Sequence, residues 1–307
     1  MPRLSVVIPT HNRKDILLMA LRAYGSQMPP KGDAELLVVD DGSTDGTGEA
    51  LARAPLGRQP WLRYISQPCR GQAAARNHGI RESRGDIILF TDDDIIPCPD
   101  LVAEHLTWHG RHREPSAGIL GHVAWSRDVN PTPFMEWLGQ DGVVFAYGHI
   151  RGGQELRHGY FYSSNISLKR KFLVENGLFD EDFSSYGCED VELGERLMRK
   201  GLCLFYNRQA LGYHHKRMSV ADVWRRAELV DRSRQLLRAK SQDPHPARKR
   251  GLARTALRGL LRATLPPLAP VIRLFDTRLP LPWVVYRAFY FHYILPKVRA
   301  TLGAPTD

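Results

Sequence analysis

The chain has 307 residues, 43% of them hydrophobic, and a formal net charge of +10. That length supports one large core or two modest ones, and no run reaches the roughly 18 to 20 apolar residues that cross a bilayer. The start carries no signal-peptide pattern, and four scattered cysteines without a CxxC pair argue against a zinc site or a disulfide framework and fit a reducing cytoplasm.

The charge is unevenly placed. Residues 216–307 hold 19 Lys/Arg and 6 Asp/Glu, a net of +13, whereas the first 215 hold 24 and 27, a net of −3. A near-neutral body therefore precedes a basic extension, which bears on partners and not on fold.

Leu4 to Ile8 reads as a buried strand that ends in Pro-Thr-His-Asn, and residues 14–27 carry apolar side chains at helical spacing. Leu36 to Val39 is a second buried strand, ending at Asp40-Asp41-Gly42-Ser43. A short helix over 45–54 leads to a third strand at Leu62 to Ser66, and a helix over Gly71 to Ser83 feeds the strand Asp86 to Phe90. Strands alternating with helices imply βαβ units, a mostly parallel sheet, and strand-end loops gathered on one edge. Beyond 115, Gly118 to Trp125 and Phe161 to Leu168 are strands, and 188–200 is a helix stopped by Gly201. Residues 126–160, rich in Gly, Pro and aromatics, read as irregular structure over an acceptor cleft.

Two strands end in adjacent carboxylates, Asp40-Asp41 and Asp92-Asp93-Asp94. Three neighbouring negative charges suit a hard divalent cation, Mg²⁺ or Mn²⁺, although Asp is also an ordinary turn and cap residue. Asp at the first strand end can accept from a base N–H and from ribose hydroxyls. Glu189 and Asp190 open a helix; the helix dipole explains them cheaply, yet nearby aromatics (Phe179, Phe183, Tyr186) could wall a cleft where a carboxylate takes a proton from a hydroxyl. In Tyr213-His214-His215 the two imidazoles point to opposite faces, so at most one meets the acidic edge.

Six segments in order carry a resemblance. They are Ser5-Val-Val-Ile-Pro-Thr-His-Asn-Arg13, Val38-Val-Asp-Asp-Gly-Ser-Thr-Asp45 and Gly71-Gln-Ala-Ala-Ala-Arg-Asn77. Phe90-Thr-Asp-Asp-Asp94, Ser163-Ser-Asn-Ile-Ser-Leu-Lys-Arg170 and Gly187-Cys-Glu-Asp-Val-Glu192 complete the set. Together they resemble the inverting glycosyltransferases of family 2, of the non-processive bacterial type. The resemblance implies the α/β GT-A fold, a mixed, mostly parallel sheet flanked by helices. It divides the chain into a catalytic domain over 1–215, with a nucleotide-binding half (1–114) and an acceptor half (115–215), and a basic helical extension over 216–307.

The resemblance also implies roles. Pro9, Thr10, Arg13, Asp41, Arg76, Asp92 and Asp93 would bind the nucleotide of a nucleotide-sugar donor, UDP-linked by analogy, with Asp41 on the base. Asp94 and His214 would hold Mn²⁺ or Mg²⁺. Asp190 would be the general base, and Glu189 and Asn165 would hold the acceptor, a glycan or a lipid-linked glycan. Processive relatives carry a Gln-x-x-Arg-Trp element and membrane spans; Trp224-Arg225-Arg226 does not match it, which points to transfer of one or a few sugars.

In the extension, Arg250, Arg254, Arg258 and Arg262 recur every four residues opposite Leu252, Ala253, Ala256, Leu257 and Leu260. Residues 279–296 mix aromatics with cations, which suits an anionic membrane surface. The expected location is the cytoplasm, peripheral on the inner face of the plasma membrane. A helical hairpin packed on the body, with Arg facing solvent, is the plainer alternative. Nucleic acid would suit the basic charge and the scattered aromatics, but as a partner it leaves both aspartate clusters without purpose. A non-catalytic scaffold of the same fold is a further alternative.

Overall fold

The computed structural model describes residues 2–28, 33–141, 144–156, 159–183, 187–240, 277 and 280–290. The chain divides into two compact units. One comprises Met1–Val129, Gly139–Ser184 and Glu189–Lys216; the other comprises Asn130–Leu138, Ser185–Cys188 and Arg217–Asp307.

The first unit is built on a mixed sheet. Its strands are β1 (Leu4–Thr10), β2 (Ala34–Asp41), β3 (Leu62–Gln67), β4 (Ile87–Thr91), β5 (Ile95–Pro97), β6 (Ala117–Trp125), β7 (Glu155–Leu156), β8 (Asn165–Lys169) and β9 (Cys203–His214). The spatial order is β3-β2-β1-β4-β8-β6-β9-β5, with β7 also on β9. β3, β2, β1 and β4 run parallel, and β8 then lies antiparallel between β4 and β6. Every residue of β1, β2 and β4 is buried, as continuous apolar runs covered on both faces require. The alternating strand–helix pattern implied the parallel part of this sheet, and the mixed sheet flanked by helices is the arrangement that the family resemblance implied.

Helices α1 (Lys14–Gly25), α2 (Thr47–Arg53), α3 (Gln72–Glu82) and α4 (Leu101–Arg111) belong to this sheet, as do the later α6 (Arg170–Glu175) and α7 (Glu189–Arg199). α3 has almost no apolar stripe, yet Ala73, Ala74, Ala75 and Ile80 are buried. A side chain at Gly79 would fall 2.4 Å from Val7 Cγ1, so small residues let this helix approach β1 closely. That approach also carries Arg76 under the sheet edge.

Several elements escaped the sequence pattern. α4 turns Leu101, Val102, His105 and His109 inward, and two histidines in that stripe conceal its apolar character. β9 is interrupted: its pairing with β6 jumps from Gly121↔Asn207 to His122↔Leu211, a bulge that breaks the alternation. The short β5 closes the far edge by pairing antiparallel with β9. Residues 126–160, expected to be irregular, include the helix α5 (Pro133–Gln140); Pro133 at its first position is compatible with a helix start.

In the second unit, α8 (Val220–Lys240) starts at a reciprocal cap. Ser219 Oγ donates to Asp222 Oδ2 at 2.6 Å, and Asp222 N donates to Ser219 Oγ at 3.2 Å. The last helix among the described residues, α9 (Trp283–Phe289), buries Tyr286, whose ring lies 5.7 Å from Phe134 and 6.1 Å from Trp137. Among the described residues no helix is long and apolar enough to cross a membrane. The Arg250–Arg262 pattern lies outside the described residues.

Candidate active site

The β1, β2 and β4 ends meet at one edge, where the loops are tied to one another. Beyond β1, Asn12 takes a left-handed φ of 52°. Its Oδ1 accepts from Thr44 N at 2.7 Å and its N donates to Ser43 Oγ at 2.9 Å. His11 Nδ1 donates to the Asp41 carbonyl at 2.8 Å. The loop after β1 is thereby fixed to the loop after β2. Gly42 turns the chain there at φ 77°, and any Cβ would lie 2.9 Å from Cys69 N. Pro9 stays buried within β1 opposite Val39.

The two aspartates of β2 have different duties. Asp40, 2% exposed, accepts from Ser43 N (2.8 Å) and from the Tyr64 hydroxyl (2.6 Å), so it shapes the turn. Asp41 accepts from Gln67 Nε2 (2.8 Å), Arg70 N (2.8 Å) and Gly71 N (2.7 Å). A carboxylate offers about four acceptor positions. With the Cys69 thiol at 3.6 Å from Oδ2, all four are engaged in holding the 67–71 loop.

The aspartate triplet splits three ways. Asp92 is the most open, its side chain 29% exposed, and accepts from Arg76 Nη2 at 2.9 Å. Asp93 accepts from Thr10 Oγ1 (2.8 Å) and pairs with Arg13 Nη1 (2.8 Å). Burial pushes its carboxyl up to about 7; Arg13 opposes this and the Asp94 charge adds to it. Asp94 pairs with Arg13 Nη2 at 2.7 Å and lies 3.3 Å from His214 Nε2. Its burial alone would raise its pKa, but His214 and Arg13 overcome it and hold the group far below the usual carboxylate range. His214 stacks on Trp125 at 5.0 Å and 10°, so its ring plane is set from beneath.

Arg76 links this edge to the next helix. Its guanidinium is 1% exposed and gives one arm to Asp92 and the other to Glu189 Oε1, each at 2.9 Å, while Phe179 lies 5.5 Å from its carbon. So buried a group acts on the strand edge through its partners, as a bridge between Asp92 and Glu189. Asp190 follows Glu189 at the start of α7, half-buried, with Oδ2 3.5 Å from Ser163 N. Burial raises its pKa to about 7, the Glu189 charge adds to the rise, and Arg76 opposes it.

Asn165 corrects an expectation. It is fully buried, donates to the His122 carbonyl (3.0 Å) and the Ala210 carbonyl (2.8 Å), and pairs through Oδ1 with His105 Nε2 (2.9 Å). Those carbonyls flank the β6–β9 bulge, so the side chain closes a gap in the ladder and has no hydrogen-bonding group left for an acceptor. Glu189 is turned inward, 5% exposed, with Oε1 on Arg76 and Oε2 without a hydrogen-bond partner among the described residues. Trp125, Tyr64 and Gln67 were not anticipated. Each supports a charged group from another strand or loop, a relation that no local pattern displays.

The donor set also fits a divalent cation. Asp94 and His214 offer a hard oxygen and an imidazole on converging elements, and no described residue meets His214 Nδ1. Among the described residues no cluster of three ligands is preformed, which is usual for ions that also bind substrate phosphates.

Residues 5–210 match the family model described as glycosyl transferase family 2. The chain is 29% identical over 260 residues to the uncharacterized glycosyltransferase YfnE of Bacillus subtilis (70% of this chain, 65% of that protein). It is 31% identical over 247 residues to validoxylamine A glucosyltransferase of Streptomyces hygroscopicus subsp. limoneus (72% of this chain, 54% of that protein). It thus spans between half and two thirds of the length of these relatives. Among solved structures, a mannosyltransferase from Pyrobaculum calidifontis in complex with GDP-Man and Mn²⁺ superposes with a TM-score of 0.66 at 20% identity, covering 98% of this chain and 86% of that one.

Proposed function

This chain belongs to glycosyl transferase family 2, and on that premise we propose that it transfers a sugar from a nucleoside-diphosphate donor to an acceptor hydroxyl with inversion, Asp190 acting as general base. The observation that carries the reading is the Asp92–Arg76–Glu189 bridge. It joins the carboxylate expected beside the donor's ribose and diphosphate to the helix start that presents the base.

In this reading, Thr10, Arg13 and Asp41 with its 67–71 loop receive the nucleotide. Mn²⁺ or Mg²⁺, held by Asp94 and His214, would offset charge on the departing diphosphate. Asp190, raised to about 7, is poised to accept the proton of an attacking hydroxyl near neutral pH. That hydroxyl approaches the anomeric carbon from the face opposite the leaving group, so the configuration inverts. Arg76 keeps Glu189 in place beside the base. Tyr162, whose own pKa is raised by burial and by the Asp190 charge, would stand on the acceptor side. The proposed acceptor is a glycan or lipid-linked glycan, and the basic C-terminal part would hold the protein at an anionic leaflet.

The test is a panel of UDP-, GDP- and dTDP-sugars with and without Mn²⁺, following nucleoside diphosphate release. The reading expects release from one donor class that chelation abolishes. Metal-independent release, or none from any donor, would overturn it.

A further inference from the structure

The helix α9 is apolar on both flanks. Its inner side buries Tyr286 (1% exposed), Phe289 (7%) and, just beyond, Tyr290 (8%), with the Tyr286 and Tyr290 rings against Trp137. Leu281 N donates to the Tyr286 hydroxyl at 2.9 Å, which fixes the entry to the helix. The outer side of a water-facing helix should be polar. Here it presents Trp283 (50% exposed), Val284 (71%) and Val285 (39%). The other large hydrophobics exposed among the described residues, Met19, Tyr64, Val174 and Leu229, are isolated from one another in sequence. Only at 283–285 do such residues stand together.

Two observations say what covers this face. Trp at the edge of an apolar patch, with exposed Arg287 one turn on, matches the chemistry of a bilayer's interfacial layer, where an indole and a guanidinium both find partners. The 216–307 part also carries a net charge of +13. That charge attracts anionic headgroups and opposes the same face of a second copy. Nucleic acid would satisfy the charge but leave two valines against a phosphate backbone. We propose that Trp283, Val284 and Val285 insert into the interfacial layer of an anionic membrane, with Arg287 on the headgroups. This rests on the membrane part of the reading above and names the surface that performs it.

The experiment is sedimentation of the full chain with phosphatidylcholine vesicles made with and without phosphatidylglycerol. The wild type should pellet with the anionic vesicles and only weakly with neutral ones. Trp283→Ser with Val284→Ser should weaken the anionic partition by about tenfold or more, while Trp283→Phe with Val284→Leu should retain it. Neither pair belongs to the candidate active site, so melting temperature and nucleoside diphosphate release in vesicle-free buffer should be unchanged. Equal vesicle binding by the Ser variant would overturn the inference, because charge alone would then suffice. So would a wild-type dimer that the Ser variant converts to monomer, since a second copy would then own the face. A wild type that binds vesicles but releases no diphosphate from any donor would refute the enzymatic reading and leave this one standing.

Discussion

Replacing Arg76 with Met is expected to damage the fold and the base together. The guanidinium side chain is 2% exposed and its Glu189 partner 6%, so one arm of the bridge is a buried ion pair; the Asp92 arm, 29% exposed, is partly solvated. Removing one member of a buried pair strands the other charge, at a cost of about 3–5 kcal/mol. The exposed arm adds at most about 1 kcal/mol. Over the roughly 200 residues of the sheet unit, 3–5 kcal/mol corresponds to a melting point lower by roughly 6–20 °C. Arg76 also restrains the upward shift at Asp190, so its loss should move the rise of kcat/KM with pH to higher pH. Calorimetry and a pH–rate profile check both. A double variant, Arg76→Met with Glu189→Gln, should recover part of the lost stability, because the stranded charge is gone. If Arg76→Met melts within 2 °C of wild type, or the double variant is less stable than the single one by the full sum of both losses, the bridge is not the buried electrostatic link described above.

Other outcomes follow from the same geometry. Asp190→Asn should lower transfer by about 10²–10⁴-fold while nucleotide binding, measured calorimetrically with Mn²⁺, stays near wild type. In the wild type, the base is competent only when ionised, so kcat/KM should rise through an apparent pKa near 7 and level off above it; because this folded-state pKa is raised, ionising the group costs stability as pH rises through the same range. Gly121→Ala places a Cβ 2.3 Å from Asn165 Nδ2 and 2.5 Å from the Ala210 carbonyl, and should destabilise by about 1–3 kcal/mol in a denaturant titration. Asn165→Ala leaves two carbonyls unsatisfied and should cost about 2–5 kcal/mol without changing the acceptor KM of the folded fraction. His214→Ala should weaken Mn²⁺ binding in the presence of nucleotide about tenfold or more, read by titration calorimetry.

What could be read from sequence divides along the range of the interactions. β1, β2 and β4 announce themselves because strands buried on both faces are continuous apolar runs. The carboxylates at their ends stand out because the parallel topology brings them to one edge. α4 is hidden because His105 and His109 occupy core positions: each is neutral, its pKa lowered by burial, and each meets Ser167 Oγ, at 2.8 and 2.9 Å. β9 is hidden by the bulge at 207–211. Asn165 looks like a site residue because it lies in a polar Ser-Ser-Asn stretch at a strand start; the carbonyls it satisfies come from β6 and β9, about forty residues away on either side. Arg76 is visible as a charge in a small-residue helix, but its two partners lie 16 and 113 residues off. Only the folded sheet makes it a bridge.

The central claim is an inverting transfer driven by a single base. Once the donor panel has named an active nucleotide sugar, proton NMR of the fresh product gives the anomeric configuration directly through its coupling constant. An α-linked donor should yield a β-linked product in the wild type, and Asp190→Asn should form it at least about 10²-fold more slowly. A product that keeps the donor's configuration would contradict the account.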